Sequence, residues 1–433
     1  MRIVIVGGGS RQWGPKLTAD ILTTPSLTDT NIVLHDIDGS SLGPMGAYCE
    51  RINREIGASA TIEATTDRRA ALAGADFVAV TISTGGFTSM AHDLDIPAAY
   101  GVRQSVGDTC GPGGINRSLR NIPVLLDIAR DMEELCPDAW LLNLTNPMTC
   151  LTRAINKETS IKAVGLCHEV VIMSWLVAIA LGVPADQLDL TITGVNHLPW
   201  ITRMSVNGED GFEALRRAMA DRPDETAWFA NEHQLKLAML EQFGALPGAG
   251  DRHVAEFFPS ILTEEADWGK AWGVALTSIA DRERDEAEYR AEIQTIIDGD
   301  KPVPAWQSGE MVAPIIDSLT TGTHRELPLN LPNTGQAPYL PDDVVVETMC
   351  VVDADGIRGR DAIVPPAPCA EWTRRHVAVQ ELTVEAAVSG DARLACAAIA
   401  LDPLGGRIDA RSIEAMTTEL LSATAAWLPQ FAG

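Results

Sequence analysis

No stretch of this 433-residue sequence approaches the roughly eighteen unbroken apolar residues of a membrane-spanning helix, and Met1-Arg2 leads straight into a strand-like segment instead of a signal peptide. A cytoplasmic location without a membrane partner is the expectation. A disulfide framework is also missing. The eight Cys, at positions 49, 110, 136, 150, 167, 350, 369 and 396, are scattered without framework spacing, which suits a reducing compartment. Basic residues are in deficit: 33 Lys and Arg stand against 59 Asp and Glu, a net charge of −26, and they form no cluster. Nucleic acid is excluded as the expected partner, because phosphate backbones are held by such clusters. An anionic small molecule would need a few local Arg or His residues to overcome that field. Internal repeats and low-complexity linkers are absent too.

What the sequence does contain is an ordinary globular composition, 46% hydrophobic and 21% charged, with length enough for two domains with cores of their own. Its first run, Arg2-Ile3-Val4-Ile5-Val6, reads as a buried strand and is followed by Gly7-Gly8-Gly9-Ser10 and a helix from about Pro15 to Thr23. Glycines between a first strand and a helix let the backbone approach a pyrophosphate. Gly7 and Gly9 fit that pattern, but position 12 is Gln and the next glycine is Gly14. The second strand, Asn31 to Asp36, ends on an acid where a ribose-binding carboxylate belongs. Together Gly7, Gly9, Ser10 and Asp36 point to a nicotinamide cofactor. A third strand within Ala75–Ile82 ends in the loop Ser83-Thr84-Gly85-Gly86, and a further strand, Trp140–Leu144, carries Asn143 into Thr145-Asn146-Pro147. In a doubly wound sheet ligands bind along this carboxyl edge, so Ser83 and Asn143 should line one crevice. Asn146 has two open readings, a cap for the next helix or an amide pointed into the crevice. The loop Gln104 to Gly114 opens onto a helix beginning near Asn116, and its Asp108 either meets polar hydroxyls or satisfies local N–H groups.

Beyond about residue 200 the alternation stops. Helices are expected over about 210–220, 228–243, 276–297, 305–320, 372–388 and 411–427, with a strand at Val344–Met349. The expected fold is α/β: a Rossmann-like doubly wound parallel sheet over 1–195, then a mixed α+β domain over 196–433 packed directly on it.

Two strand ends carry metal-binding chemistry. Cys167-His168-Glu169-Val170 closes the run Ala163–Leu166, and Gly194-Val195-Asn196-His197 follows Leu188–Thr193. One thiolate and one imidazole on neighbouring strand ends suit a shared divalent ion. A buried Cys beside a surface His is the plainer reading of the first stretch alone.

GGGS after the first strand, GDTCGPGG, NLTNP, CHEV, GVNH, GDRHVAEFFP at 250–259 and NLPNTGQ at 330–336, in this order, resemble glycoside hydrolase family 4. Those are NAD- and manganese-dependent glycosidases with a fold like lactate and malate dehydrogenases. The resemblance covers most of the chain. CHEV, with YGVRQSVGDT and GDRHVAEF, is most similar to the alpha-galacturonidase branch, with alpha-glucuronidase and alpha-galactosidase as alternatives. In the stretch 87–93, phospho-sugar members usually place an Arg where this chain has Met90.

The resemblance implies a route outside two-carboxylate hydrolysis: oxidation at C3, loss of the C2 proton, elimination at C1, water addition and return of the hydride. It implies NAD and Mn2+ as cofactors, with Cys167 and His197 as metal ligands. It implies His168 either as the acid for the departing oxygen or as a hydrogen-bonding partner of the substrate, and Asp251 as the C2 base, with Asp108 second and one of the four Tyr (48, 100, 289, 339) a further alternative because family members differ in whether Tyr or Asp serves. Asn146 and Asn196 are then implied to hold hydroxyls, and Arg252 and His253 to face a C6 carboxylate. Arg252 alternatively pairs with Asp251 or Glu256. A uronide is the implied substrate, and a homodimer or homotetramer the implied assembly. Two other classes stay open, an NAD-dependent 2-hydroxy acid dehydrogenase and a protein that binds the nucleotide without turnover.

Overall fold

The structure is a computed structural model that describes residues 1–303 and 308–431. Its strands are β1 (Arg2–Val6), β2 (Asn31–His35), β3 (Thr61–Thr65), β4 (Phe77–Val80), β5 (Trp140–Asn143), β6 (Lys162–Leu166), β7 (Leu188–Val195), β8 (Leu198–Val206), β9 (Glu209–Asp210), β10 (Leu246–Pro247), β11 (Arg325–Pro332), β12 (Val345–Asp353) and β13 (Gly356–Gly359). All join one sheet, whose main path runs β10-β8-β7-β12-β11-β6-β5-β4-β1-β2-β3.

The half from β6 to β3 is parallel throughout, in the order of a dinucleotide-binding fold. Its strands other than the edge strand β3 read as largely apolar runs because both faces are covered. Ile3 and Ile5 of β1 pack on one side with Leu17 and Ile21 of the helix Trp13–Thr23, while Val4 and Val6 pack on the other with Leu119 and Ile122 of the helix Gly111–Leu135. Period-two alternation divides one strand between two cores.

The other half is antiparallel. β11 pairs with β6 on one side and β12 on the other, and β7 and β8 form a hairpin in which Val195 faces Leu198. The expected domain boundary at 195/196 falls inside this hairpin, whose strands belong to the same sheet as β1.

The sequence expectations omit β3, β8 and β11. β3 is an exposed edge strand without an apolar run. β11 contains Pro328 and Pro332, residues that donate no ladder hydrogen bond and argue against an internal strand. β8 begins only two residues after β7, with none of the glycine-containing turn pairs that announce a hairpin. Other differences concern helices. Gly86–Ala99 and Ala392–Leu401 are additional, Gly111–Leu135 starts five residues before Asn116, and the expected 228–243 helix divides into Pro223–Glu232 and Gln234–Phe243. Of the expected helix over 305–320, residues 305–307 lie outside the described residues and the helix runs over Val312–Thr321.

Candidate active site

The carboxyl edge of the parallel half begins with the glycine loop after β1. The Gly7 and Gly8 amides both donate to the His35 carbonyl at 2.9 Å, and the Gly9 amide donates to Asp36 Oδ2 at 3.0 Å. Gly7 has φ +87°, and a Cβ there would stand 2.0 Å from the Thr81 carbonyl oxygen, so no other residue fits. Gly14, two residues past the usual third glycine, supplies the close packing instead, since its Cβ would come within 3.0 Å of the Gly8 carbonyl oxygen. Ser10 Oγ accepts from the Trp13 amide at 3.2 Å and thereby organises the helix start. Asp36 also accepts from the Asp38 amide at 3.0 Å, and a carboxylate with two such bonds still has lone pairs for a ribose hydroxyl. Arg11 ties this loop to the helix Ile279–Asp298 through Glu286 at 2.7 Å. The cradle fits a dinucleotide.

Ser83 is exposed at the end of β4. Asn143 is not presented to the crevice: it is fully buried, and its amide donates to Thr145 O and Thr152 Oγ1 and accepts from the Thr145 amide. Its part in cofactor binding is therefore corrected to one of shaping the β5 loop. Asn146 is not a cap either. Pro147 precedes the helix Met148–Glu158, and Asn146 Nδ2 reaches Asp108 Oδ2 at 3.3 Å while its own Oδ1 is buried without a partner.

The loop 104–110 is pinned from below. Glu256, fully buried in the helix Asp251–Phe257, accepts from the Val106 and Gly107 amides at 2.6 and 2.7 Å, and burial raises its carboxyl to about 8. Behind the loop the buried pair Asp93 and Arg120 joins the helices Gly86–Ala99 and Gly111–Leu135, with Asn116 Nδ2 on Asp93 Oδ1 at 2.9 Å.

These anchors bring Asp108 against His197 and His253, whose ligating atoms lie within 4.8 Å of one another. His197 occupies the β7–β8 turn with φ +66°. Its Nδ1 is 2.7 Å from Thr109 Oγ1, which is itself 2.8 Å from Asp108 Oδ1. A carboxylate only accepts, so the single hydroxyl hydrogen of Thr109 goes to Asp108, and His197 Nδ1–H donates to Thr109. Nε2 is left with a free lone pair. Burial, then the neighbouring His253, holds His197 neutral with a pKa of about 3. Burial opposes ionisation of Asp108, but His253, His197 and Arg117 more than reverse this and set it at about 2.

His253 packs against His197 in a tilted arrangement with ring centroids 3.8 Å apart, its Nδ1 is 3.9 Å from Asp108 Oδ1, and that nitrogen is buried without a hydrogen-bond partner.

Cys167 lies outside this trio. It is buried in the company of Asn196, Glu169 and Glu347, and burial pushes its thiol well above the usual range. Asn196 Nδ2 donates to Glu347 Oε2 at 3.1 Å, and Asn196 Oδ1 is unpartnered. His168 Nδ1 pairs with Glu310 Oε1 at 2.9 Å, and this hydrogen bond raises the imidazole pKa. Neither Glu310 nor Thr109 is singled out by the sequence. Glu310 sits in an irregular segment with no motif around it, whereas the proximity of Thr109 to Asp108 was a usable signal.

Asp251 is turned elsewhere. Its Oδ2 accepts from the Leu235 amide at 2.9 Å, and its Oδ1 is 3.6 Å from the fully buried Lys236 ammonium without a hydrogen bond. Arg252 pairs with neither Asp251 nor Glu256; its guanidinium donates to Ser105 O at 3.3 Å and to Thr277 Oγ1. Arg117 donates from Nε to Asn146 O at 3.1 Å, next to the Asn146 amide that reaches Asp108, and Arg282 Nε is buried without a partner. Met90 is buried in its helix.

Imidazole and carboxylate donors with open positions suit Mn2+, and unpartnered amide oxygens beside them suit sugar hydroxyls. Among the described residues no helix is long and apolar enough to cross a membrane.

Comparison with known proteins identifies the family of the chain. The sequence model described as Family 4 glycosyl hydrolase matches residues 2–183, and that of the Family 4 glycosyl hydrolase C-terminal domain matches residues 192–405. The chain is 32% identical to an alpha-galactosidase of Bacillus subtilis (strain 168), over 99% of each chain. It is also 32% identical to an alpha-galacturonidase of Lachnoclostridium phytofermentans, over 99% of this chain and 97% of that one. A 6-phospho-alpha-glucosidase from gut microorganisms, solved in complex with NAD and Mn2+, shares the fold with a TM-score of 0.81 at 21% identity, covering 98% of each chain. With both family models covering most of its length, the chain belongs to family 4 of the glycosyl hydrolases.

Proposed function

We propose that this chain hydrolyses alpha-linked galacturonides with NAD+ and Mn2+ as cofactors. The observation that carries the reading is the pair of guanidinium groups beside the loop that presents Asp108, Arg117 on the Asn146 carbonyl and Arg252 on the Ser105 carbonyl, in a protein whose net charge of −26 otherwise repels anions. Arg is the side chain suited to a sugar carboxylate. The full-length likeness to an alpha-galacturonidase supports it, and buried Met90, where phospho-sugar members usually carry Arg, weighs against a phosphorylated substrate.

When bound, NAD+ and Mn2+ would supply hydride exchange at C3 and polarisation of the C3 oxygen, which acidifies the C2 proton. The residues of the chain do the rest. His168, whose pKa the hydrogen bond to Glu310 raises, is the acid for the departing C1 oxygen. Of the two candidate bases at C2, Asp108 lies in the cluster with His197 and His253, whereas Asp251 faces the Leu235 amide and the Lys236 ammonium. Asn146 and Asn196 offer their unpartnered oxygens to sugar hydroxyls. The glycine loop after β1 would hold the nucleotide, and the sugar site would draw on both sides of residue 195, with Asn146 and His168 from the first part and Asn196 and His197 from the second.

The test is release of galacturonic acid in D2O with and without NAD+ and Mn2+. Deuterium at C2 of the product, only when both are present, supports the reading. Turnover of a matched neutral galactoside instead would favour the second reading, alpha-galactosidase, which the equally complete likeness to the Bacillus subtilis enzyme supports. Steady NADH accumulation without hydrolysis would return the chain to dehydrogenase chemistry.

A further inference from the structure

We propose that Trp13 and Lys16 form the subsite for the leaving group, and that the aglycone they take is a second uronate sugar, as in an oligogalacturonide. The inference deepens the galacturonidase reading above and rests on it. Trp13, Lys16 and Asp20 recur at i, i+3 and i+7 along the helix Trp13–Thr23, so they share one face of it. That face is turned toward His168: the Trp13 ring lies 6.4 Å from the imidazole, centroid to centroid, and the Lys16 ammonium stands 5.6 Å from the centre of the Trp13 ring. Both residues are half-buried. With His168 as the acid at the departing C1 oxygen, the group carried by that oxygen must lie beside the imidazole. Trp13 and Lys16 are what the chain places there.

The charges on this side of the crevice leave Lys16 free for such a guest. Asp20 is buried and accepts from the Ser308 amide at 2.7 Å and from the Ser308 hydroxyl, while Glu310 Oε1 is taken by His168 Nδ1 at 2.9 Å. Among the described residues Lys16 makes no hydrogen bond and no ion pair, although acids outnumber bases in the chain by 59 to 33. Its charge is near enough to act on the His168 imidazole. An indole offers apolar surface to the C–H side of a pyranose, and an ammonium beside it is a point charge for a carboxylate. A methyl aglycone is too small to use either. The pair therefore selects what leaves, whereas the guanidinium groups beside the Asp108 loop select the sugar that is held.

The test compares digalacturonic acid with methyl alpha-galacturonide, which present the same sugar and differ only in the aglycone, with NAD+ and Mn2+ supplied. The wild type should show a kcat/KM ratio in favour of the disaccharide. Lys16→Met should lower that ratio about fivefold, mainly through KM, with the unfolding midpoint unchanged because Lys16 ties down nothing in the fold. Lys16→Arg, which keeps the charge, should restore most of the ratio. Sodium chloride at about 0.5 M should erode the ratio of the wild type but not that of Lys16→Met. Trp13→Leu should lower it as well, and to the same extent when the aglycone carboxyl is methyl-esterified, a substrate whose ratio Lys16→Met leaves alone. A ratio that Lys16→Met does not change, or that neither salt nor the Arg variant moves, would overturn the subsite while the galacturonidase reading stands. Cleavage of neither galacturonide by the wild type would overturn both.

Discussion

The two ends of the crevice are built on opposite terms. At the glycine loop, polar groups are already paired: three successive amides are satisfied by His35 O and Asp36, and the Cβ positions around them are filled. At the Asp108–His197 end, Asn146 Oδ1, Asn196 Oδ1 and His253 Nδ1 are all buried without hydrogen-bond partners. Since unpaired buried polar atoms are costly, the first end reads as a finished surface against which a ligand is laid. The second reads as half of a structure that a ligand completes.

Substitutions should separate these two designs. His197→Gln is expected to lower Mn2+-dependent turnover by on the order of a thousandfold or more while leaving the unfolding midpoint near that of the wild type, because the lost group serves the ligand and not the fold. Arg120→Met should do the reverse: it strands the Asp93 carboxylate with only Asn116, at a cost of about 3–5 kcal/mol in urea unfolding. Gly7→Ala, strained at φ +87° and blocked by Thr81 O, should cost about 1–3 kcal/mol and weaken NAD+ binding in a fluorescence titration without altering Mn2+ affinity. Loss of Mn2+ binding in that variant would collapse the distinction between the ends. Glu310→Gln should cut kcat about ten- to a hundredfold with KM little changed, since it acts through the orientation and proton of His168.

The smallest effect concerns His376, whose Nε2 lies 3.3 Å from the Phe257 carbonyl at the end of the helix Asp251–Phe257. Burial depresses the pKa of His376 to about 3, so below the usual imidazole range near 6.5 the unfolded chain binds a proton that the folded chain refuses. This term is absent above pH 6.5 and erodes stability as pH falls toward 3. Compared with His376→Gln, the wild type should lose about 1 kcal/mol more between pH 7.5 and 5.5 in paired denaturation curves.

The same contrast governs what could be read from the sequence. The parallel half is legible because strands covered on both faces, such as Ile3–Val6 and Ile32–His35, leave apolar runs, and because a backbone cradle demands glycines. Even there the third glycine was displaced to Gly14, where only its contact with the Gly8 carbonyl reveals its function. Asn196 and His197 were legible from their place after an apolar strand. The antiparallel half was not: β11 hides behind two prolines, and β8 follows a turn without the usual residues. Glu310, Arg282 and the pairing of Asp251 with Lys236 arise from chain segments far apart in sequence, and no local pattern announces such encounters. Asn143 misled for the opposite reason, since a polar residue at a strand's carboxyl end looks the same whether its amide faces a ligand or its own loop.

Asn196 and His197 are the two residues of the β7–β8 turn, between Val195 and Leu198. Their aim is therefore inherited from strand register: Ile192 and Ile201 of the two strands share one core, while Val195 and Trp200 share another. Adding or deleting one residue in this turn would exchange the two faces of β8. For anyone transplanting the site to another scaffold, the unit to move is the whole hairpin with both of its cores, because a four-residue graft would carry the letters of the motif without the direction in which they point.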